Sequence, residues 1–164
     1  MNLLREQKKG LSPKDYLLKL VEVSNDLWTI GSKRSAIMTL VFEFERSNQH
    51  LDVVKRIEVG TRLMEMCLAD DLSDLANGWG IVLQESVRTL DRAHPAVFPC
   101  LRTIADWSIA LCSEEAKAAI AEAIAAATDV AEVVLLDAKR NEVEFLQGEL
   151  RAVVGTIKKD APDD

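Results

Sequence analysis

The stretch SEEAKAAIAEAIAAATDVAEVVLL, residues 113–136, is so rich in alanine and aliphatic residues that it could be a membrane segment, low-complexity filler or a packed helix. A bilayer span needs about 20 consecutive, mostly apolar residues. Charged residues such as Lys117, Glu122 and Asp129 interrupt this stretch, and its longest unbroken apolar run is AIAAA at 123–127. The apolar residues recur every three or four positions, which is typical of one buried helix face. The stretch therefore predicts a small-residue helix suited to close packing.

The helix that starts here needs a break further along the chain. A continuous helix over residues 114–158 would be on the order of 65 Å long at about 1.5 Å per residue, which is too long for a compact domain of this size. Thr128 and Asp129 can cap a new helix, and Asp129-x-x-Glu132 resembles a capping box. The sequence predicts either a break near Thr128 or a projecting arm, with a long C-terminal helix over 129–158 that could mediate dimerisation.

The rest of the chain carries helix-end signals and little else that interrupts structure. Only seven Gly and four Pro occur in 164 residues. Ser12, followed by a proline, can cap the first helix, and Gly31 can end it in a left-handed conformation. No segment alternates with period two. We predict an all-α fold of about seven helices in an antiparallel bundle, with residues 1–11 flexible, 12–158 forming a single domain and 159–164 disordered.

A stack of helix pairs is the alternative architecture. The estimated starts of the odd helices fall near residues 13, 51 and 95, and those of the even helices near 32, 71 and 113, so each series advances by about 40 residues. Helix pairs that recur about every 40–47 residues are typical of armadillo and HEAT-type stacks. Any chain of helices of this average length gives such a period, so bundle and stack both stay open.

Glycines within two predicted helices make more local predictions. Gly60 lies in a third helix that is apolar on several sides, where it can permit a close crossing by a neighbour. Further on, the apolar spacing continues in phase through Asn77-Gly78-Trp79-Gly80. We therefore predict one helix bent at this point rather than two helices.

Net charge argues against a nucleic-acid partner; no membrane partner is predicted, and another protein is the expected partner. The formal net charge is −7 and the pI is about 4.9, whereas binding to phosphates needs a basic surface. Residues 1–62 carry 11 Lys and Arg against 8 Asp and Glu, while residues 63–164 carry 9 against 19. This asymmetry either reflects ordinary solvated helix faces or could steer a partner protein or favour head-to-tail contact between copies.

The cysteines and the first residues favour the cytoplasm. Cys67, Cys100 and Cys112 are an odd number without paired spacing, which is typical of reduced, buried thiols rather than of a disulfide framework. The start MNLLREQKKG has only two consecutive apolar residues before its charges and does not resemble a signal peptide.

No group of residues predicts a catalytic centre, a metal site or a cofactor. The chain has two histidines, and only Asp91-x-x-His94 resembles half of a di-iron motif. His94 precedes a proline at a predicted helix boundary, which favours a capping or solvent-exposed histidine. The three cysteines lie on apolar stripes and favour core filling over zinc binding.

Candidates for partner binding are better supported. Met38 and Phe42 fall off the main apolar stripe of the second helix, and Trp107 falls off that of the fifth, which suits an exposed partner-binding patch. The alternative for each residue is burial on a second face of a central helix. A short heptad pattern starts at Leu136 and continues through Val143, Leu146, Leu150, Val153 and Ile157. So short a pattern either packs on the body or pairs with another chain.

These observations predict a non-enzymatic interaction module: an adaptor, a chaperone-like factor or an assembly subunit, with possible homo-oligomerisation through the C-terminal helix. Two other functions stay open. One is an enzyme with an acidic pocket between helices that uses Asp91 and His94. The other is a regulatory DNA-binding protein that uses the helix at 51–62.

Overall fold

The computed structural model describes residues 10–159 of the chain, and its side chains as far as residue 151. Seven α-helices follow one another in this part: α1 (Pro13–Thr29), α2 (Lys33–Ser47), α3 (Val53–Ala69), α4 (Asn77–Val87), α5 (Val97–Ala110), α6 (Ala116–Ala126) and α7 (Val130–Lys159). Short 3₁₀ turns, Asn48–His50 and Ser73–Ala76, precede α3 and α4. The described residues contain no strand, and the all-α prediction is confirmed. Most of the predicted flexible N-terminus and all of the predicted tail after Lys159 lie outside the described residues.

The helix ends use the local signals read from the sequence. The Ser12 hydroxyl accepts a hydrogen bond from the Asp15 backbone N–H (3.1 Å), and a proline occupies the first turn of α1. The Asp52 carboxylate accepts a hydrogen bond from the Lys55 N–H (2.9 Å) at the start of α3. Gly31 follows α1 with a φ of 85°, a left-handed conformation that suits glycine. These caps satisfy backbone groups that would otherwise lack partners.

The helices pack mainly as successive pairs. α1 packs against α2, α3 against α4 and α5 against α6, and α3 also packs against α5. Phe44 of α2 meets Trp79 of α4 edge to face, with ring centroids 5.4 Å apart. The Arg88–Glu122 ion pair (2.6 Å) joins α4 to α6. The bundle is confirmed, whereas a HEAT-like repeat stays a prediction.

Gly60 lies where three helices meet. A β-carbon built on Gly60 would lie 2.6 Å from Cδ2 of Leu83 on α4 and 2.9 Å from Cζ of Phe44 on α2. Real β-carbons essentially never come so close to another atom. The prediction that Gly60 permits a close helix crossing is confirmed.

The segment before α4 differs from its prediction. A single helix bent at Gly78 was expected, but a 3₁₀ turn, Ser73–Ala76, comes first and α4 begins at Asn77. Asp71 has a φ of 53° and separates this turn from α3. Because a 3₁₀ turn has three residues per turn, the apolar spacing passes through it with little change of phase. The expectation of one bent α-helix is therefore wrong.

A short turn joins α6 to α7. α6 ends at Ala126, Ala127 is extended (φ −70°, ψ 136°) and α7 begins at Val130. The Asp129 carboxylate accepts a hydrogen bond from the Ala131 N–H (2.8 Å) and caps the new helix. The predicted break near Thr128 is confirmed.

Beyond this turn, α7 folds back along the body. Three ion pairs hold it there: Lys117–Glu144 (3.5 Å), Arg102–Glu132 (3.2 Å) and Lys139–Asp106 (2.5 Å). The Lys117 pair joins the start of α6 to the middle of α7, so these helices run antiparallel. In the other two pairs, the later residue of α5 (Asp106) contacts the later residue of α7 (Lys139), and the earlier residue (Arg102) contacts the earlier one (Glu132). α7 therefore runs parallel to α5. Glu132 thus pairs with an arginine on α5.

Candidate functional site

The predicted partner-binding residues lie in two separate places. Met38 and Phe42 project from α2, which packs against α1 and α3. Both side chains are exposed, and Phe42 keeps 63% of its accessible surface. The remaining candidates lie on α5 and α7.

Trp107 is not exposed, which corrects the sequence-based expectation. Its side chain is only 7% accessible. The indole lies against Gly80 on α4, and its Nε1–H donates a hydrogen bond to the Ser73 carbonyl (3.0 Å). α4 covers the side of α5 that lies off the main stripe, so Trp107 is a core residue.

The heptad candidates divide between the body and the surface. Leu136 and Val143 are buried where α7 packs on the body. Val143 was predicted as a partner contact, and its packing within the chain is the correction. Leu146 and Leu150 are both more than half exposed. Val153 and Ile157 lie beyond the described side chains.

α7 exposes apolar side chains that the heptad pattern did not include. Val134 and Phe145 are exposed on the side away from Leu136, and Phe145 keeps 67% of its surface. They are eleven residues apart, close to three helical turns, and therefore share one side of the helix. Val130 and Leu135 are exposed as well. A helical projection centred on Phe145, rather than on the heptad, would have found this side.

An apolar groove runs beside this surface. It lies between α7, the start of α6 and the end of α5, and it is lined by Ile109, Cys112, Ser113, Ala116, Val143, Leu146, Gln147 and Leu150. The Gln147 side-chain amide donates a hydrogen bond to the Ser113 carbonyl (3.3 Å) across it. The exposed apolar side chains of α7 and this groove form one candidate binding region.

Two of the three thiols are set apart from solvent. Cys67 and Cys100 are buried, and burial raises the pKa of each thiol to about 11. Cys112 is exposed, follows α5 and has a φ of 50°. Among residues 10–159, no group of three or more His, Cys, Asp or Glu is placed to hold a metal ion.

Asp91 and His94, the residues named for an enzyme, have structural contacts in the α4–α5 connection. The Asp91 carboxylate accepts a hydrogen bond from the Ala93 N–H (2.8 Å). Nδ1 of His94 accepts one from the Ala96 N–H (3.1 Å) just before α5. These hydrogen bonds shape the turn and cap the helix.

The cations of residues 51–62, the helix considered for DNA binding, contact groups of their own chain. Arg56 donates hydrogen bonds to the backbone carbonyls of Asn48 (3.1 Å) and Leu51 (3.2 Å). Lys55 pairs with Glu58 at 3.0 Å. Arg62 pairs with Glu65 at 3.4 Å and lies 5.7 Å from the ring centroid of Trp28. Lys55, Arg56 and Arg62 therefore each have a carboxylate, a backbone carbonyl or an aromatic ring of the same chain beside their positive charge.

No protein-family model, curated protein or solved structure matches this chain. Across residues 10–159, no helix combines the length and the apolar character that crossing a membrane requires.

Proposed function

We propose that this chain is a non-enzymatic protein–protein interaction module, an adaptor or assembly subunit, and that α7 supplies its binding surface. One observation carries the proposal. Eleven large apolar side chains are exposed in the described part of the chain, and six of them lie on α7: Val130, Val134, Leu135, Phe145, Leu146 and Leu150. A surface helix normally turns polar residues outward, and a concentration of exposed apolar residues marks an interaction surface.

A second copy of the chain is the first partner we propose. Two α7 helices can cover each other's apolar side chains, as in a two-helix seam. The pairs α1–α2, α3–α4 and α5–α6 would then present an extended surface on each copy, as HEAT-like stacks do. We place the module in the cytoplasm, since the buried thiols Cys67 and Cys100 are free.

Sedimentation equilibrium on the intact chain tests self-association. We expect twice the 18.2 kDa chain mass, and the monomer mass for the double variant Phe145→Ser/Leu146→Ser. Both side chains are more than half exposed, so these substitutions leave the core intact. Met38→Ser/Phe42→Ser, which alters the exposed apolar residues of α2, is the matched control and keeps the dimer mass. A wild-type chain that stays monomeric contradicts the second-copy partner.

A photo-crosslinking residue at position 145, compared with one at position 42 in native cells, tests the broader module. We expect a discrete adduct at 145 that the Leu146→Ser substitution removes. If position 145 gives no adduct, neither with the chain itself nor with another protein, α7 is not a binding surface.

A further inference from the structure

We propose that a cleft at the end of α4 binds a small amphipathic carboxylate with a medium-length aliphatic chain, such as a free fatty acid of about eight to ten carbons. The cleft lies between the end of α4, the α4–α5 connection, α5 and α6. Its walls come from Val87, Leu90, Val97, Leu101 and Ala126, and its rim from Arg88, Arg92 and Glu122. This site is separate from the α7 surface and independent of the function proposed above.

The walls fit an aliphatic chain. Val87, Val97, Leu101 and Ala126 all belong to the buried core, so the floor of the cleft is apolar. Its volume is about 270 Å³. At about 30 Å³ for each water-sized group, it holds on the order of nine such groups. Small-molecule sites are mostly apolar with a few polar groups at defined positions, and this cleft has that composition.

The rim fits an anion. Arg88 and Glu122 pair at 2.6 Å and largely neutralise each other. Arg92 is exposed and has no ion pair or hydrogen bond to any residue in the described part of the chain. Arg92 is therefore the cation at the mouth of the cleft that has no paired carboxylate among the described residues. A guanidinium binds a carboxylate through paired hydrogen bonds, which gives the head group both charge and direction.

The connection holds Arg92 in place. Asp91 accepts the Ala93 N–H at 2.8 Å, and the His94 N–H donates to the Asp91 carbonyl at 2.9 Å. Arg92 therefore belongs to a hydrogen-bonded turn between a helix end and the cap of α5. This turn fixes the backbone from which the Arg92 side chain reaches the rim of the cleft, and it gives Asp91 and His94 a positioning role.

Isothermal titration calorimetry with decanoate at submicellar concentration and pH 7.5 tests the proposal. We expect saturable binding of one decanoate per chain. 1-Decanol has the same aliphatic chain without the charge. We expect it to bind about tenfold more weakly, since losing a hydrogen bond between charged groups lowers affinity by about that factor. Equal affinity for the two probes, or no saturable binding of decanoate, overturns the proposal.

Two variants locate the site. Arg92→Gln removes the exposed charge, and we expect it to lower decanoate affinity about tenfold while leaving decanol binding unchanged. Arg34→Gln, at an exposed arginine on α2, is the matched control and keeps wild-type affinity. Ala126→Leu fills the cleft and abolishes binding of both probes, with circular dichroism confirming its fold. If Arg92→Gln and Arg34→Gln bind decanoate equally, the assigned site is wrong, whatever the result with Ala126→Leu.

Discussion

The indole of Trp107 occupies the space that a side chain on Gly80 would need. Its Cη2 atom lies 2.6 Å from the position of a β-carbon on that glycine, and two further ring atoms lie at 2.9 Å. The ring also donates its hydrogen bond to Ser73, one turn before α4. Because Gly80 has no side chain, α4 and α5 can approach each other closely. Trp107, which the sequence pattern placed at the surface, is therefore buried between them.

Overpacking a core usually costs about 1–3 kcal/mol, and we expect Gly80→Ala to destabilise the protein by a net amount of up to about 2 kcal/mol. The helix propensity gain of about 1 kcal/mol for replacing glycine offsets only part of this cost. Urea unfolding followed by circular dichroism measures the difference. An unchanged or higher unfolding midpoint would show that the Trp107 ring can move aside freely.

Gly148→Ala should have the opposite effect. Gly148 lies within α7, and a β-carbon there meets no other atom within 4 Å. Because no clash opposes the substitution, the higher helix propensity of alanine should add about 0.5–1 kcal/mol to the free energy of unfolding. The same unfolding experiment serves as a direct comparison with Gly80→Ala. A loss of stability would mean that α7 is not helical at this position in solution.

Gly31→Ala should cost about 1 kcal/mol for a different reason. A β-carbon on Gly31 meets nothing within 4 Å, but the residue has a φ of 85°. The cost therefore comes from the left-handed backbone alone. Gly31→Asn should lose less, because asparagine tolerates this conformation better than alanine does. Equal losses of stability for the two variants, measured by thermal unfolding, would contradict the assignment of the cost to the left-handed backbone.

The two buried thiols should make the protein less stable at alkaline pH. Burial raises the pKa of Cys67 and Cys100 from 9.0 to about 11. Between these values the unfolded chain releases protons that the folded chain keeps. The free energy of unfolding is therefore unaffected by these thiols below pH 9 and falls from about pH 9 to about pH 11, by at most about 1.4 kcal/mol per pH unit for each thiol.

The Cys67→Ala/Cys100→Ala variant isolates this effect, because lysines and tyrosine titrate alike in both proteins. We expect its stability to fall less steeply over this pH range. In the native wild type near pH 8, a thiol reagent should modify only the exposed Cys112 quickly. Rapid modification of all three cysteines without unfolding would contradict the burial.

The sequence predicted best those features that depend on a few neighbouring residues. Ser12, Gly31 and Asp129 act at helix ends as their residue types and positions indicated. A cap needs only a side chain and the next turn of backbone, so the local sequence contains the whole interaction. The break after α6 follows from the same kind of signal.

The sequence could not show which side of each helix its neighbours would cover. Trp107 is buried because α4 offers a glycine beside it, and Phe145 is exposed because the body packs on the opposite side of α7. Both outcomes depend on contacts between different helices. Helical periodicity identifies apolar sides, but only the packing decides which of them meets another helix.

The attachment of α7 also makes ionic strength a control on the motion of this helix. Three partly exposed ion pairs hold α7 to the body, while Leu136 and Val143 are its only buried large apolar side chains among the described residues. Salt screens exposed charges over about 10 Å at 0.1 M and about 3 Å at 1 M. Added salt should therefore speed amide hydrogen exchange in α7 well before it affects α3, which lies in the interior of the bundle.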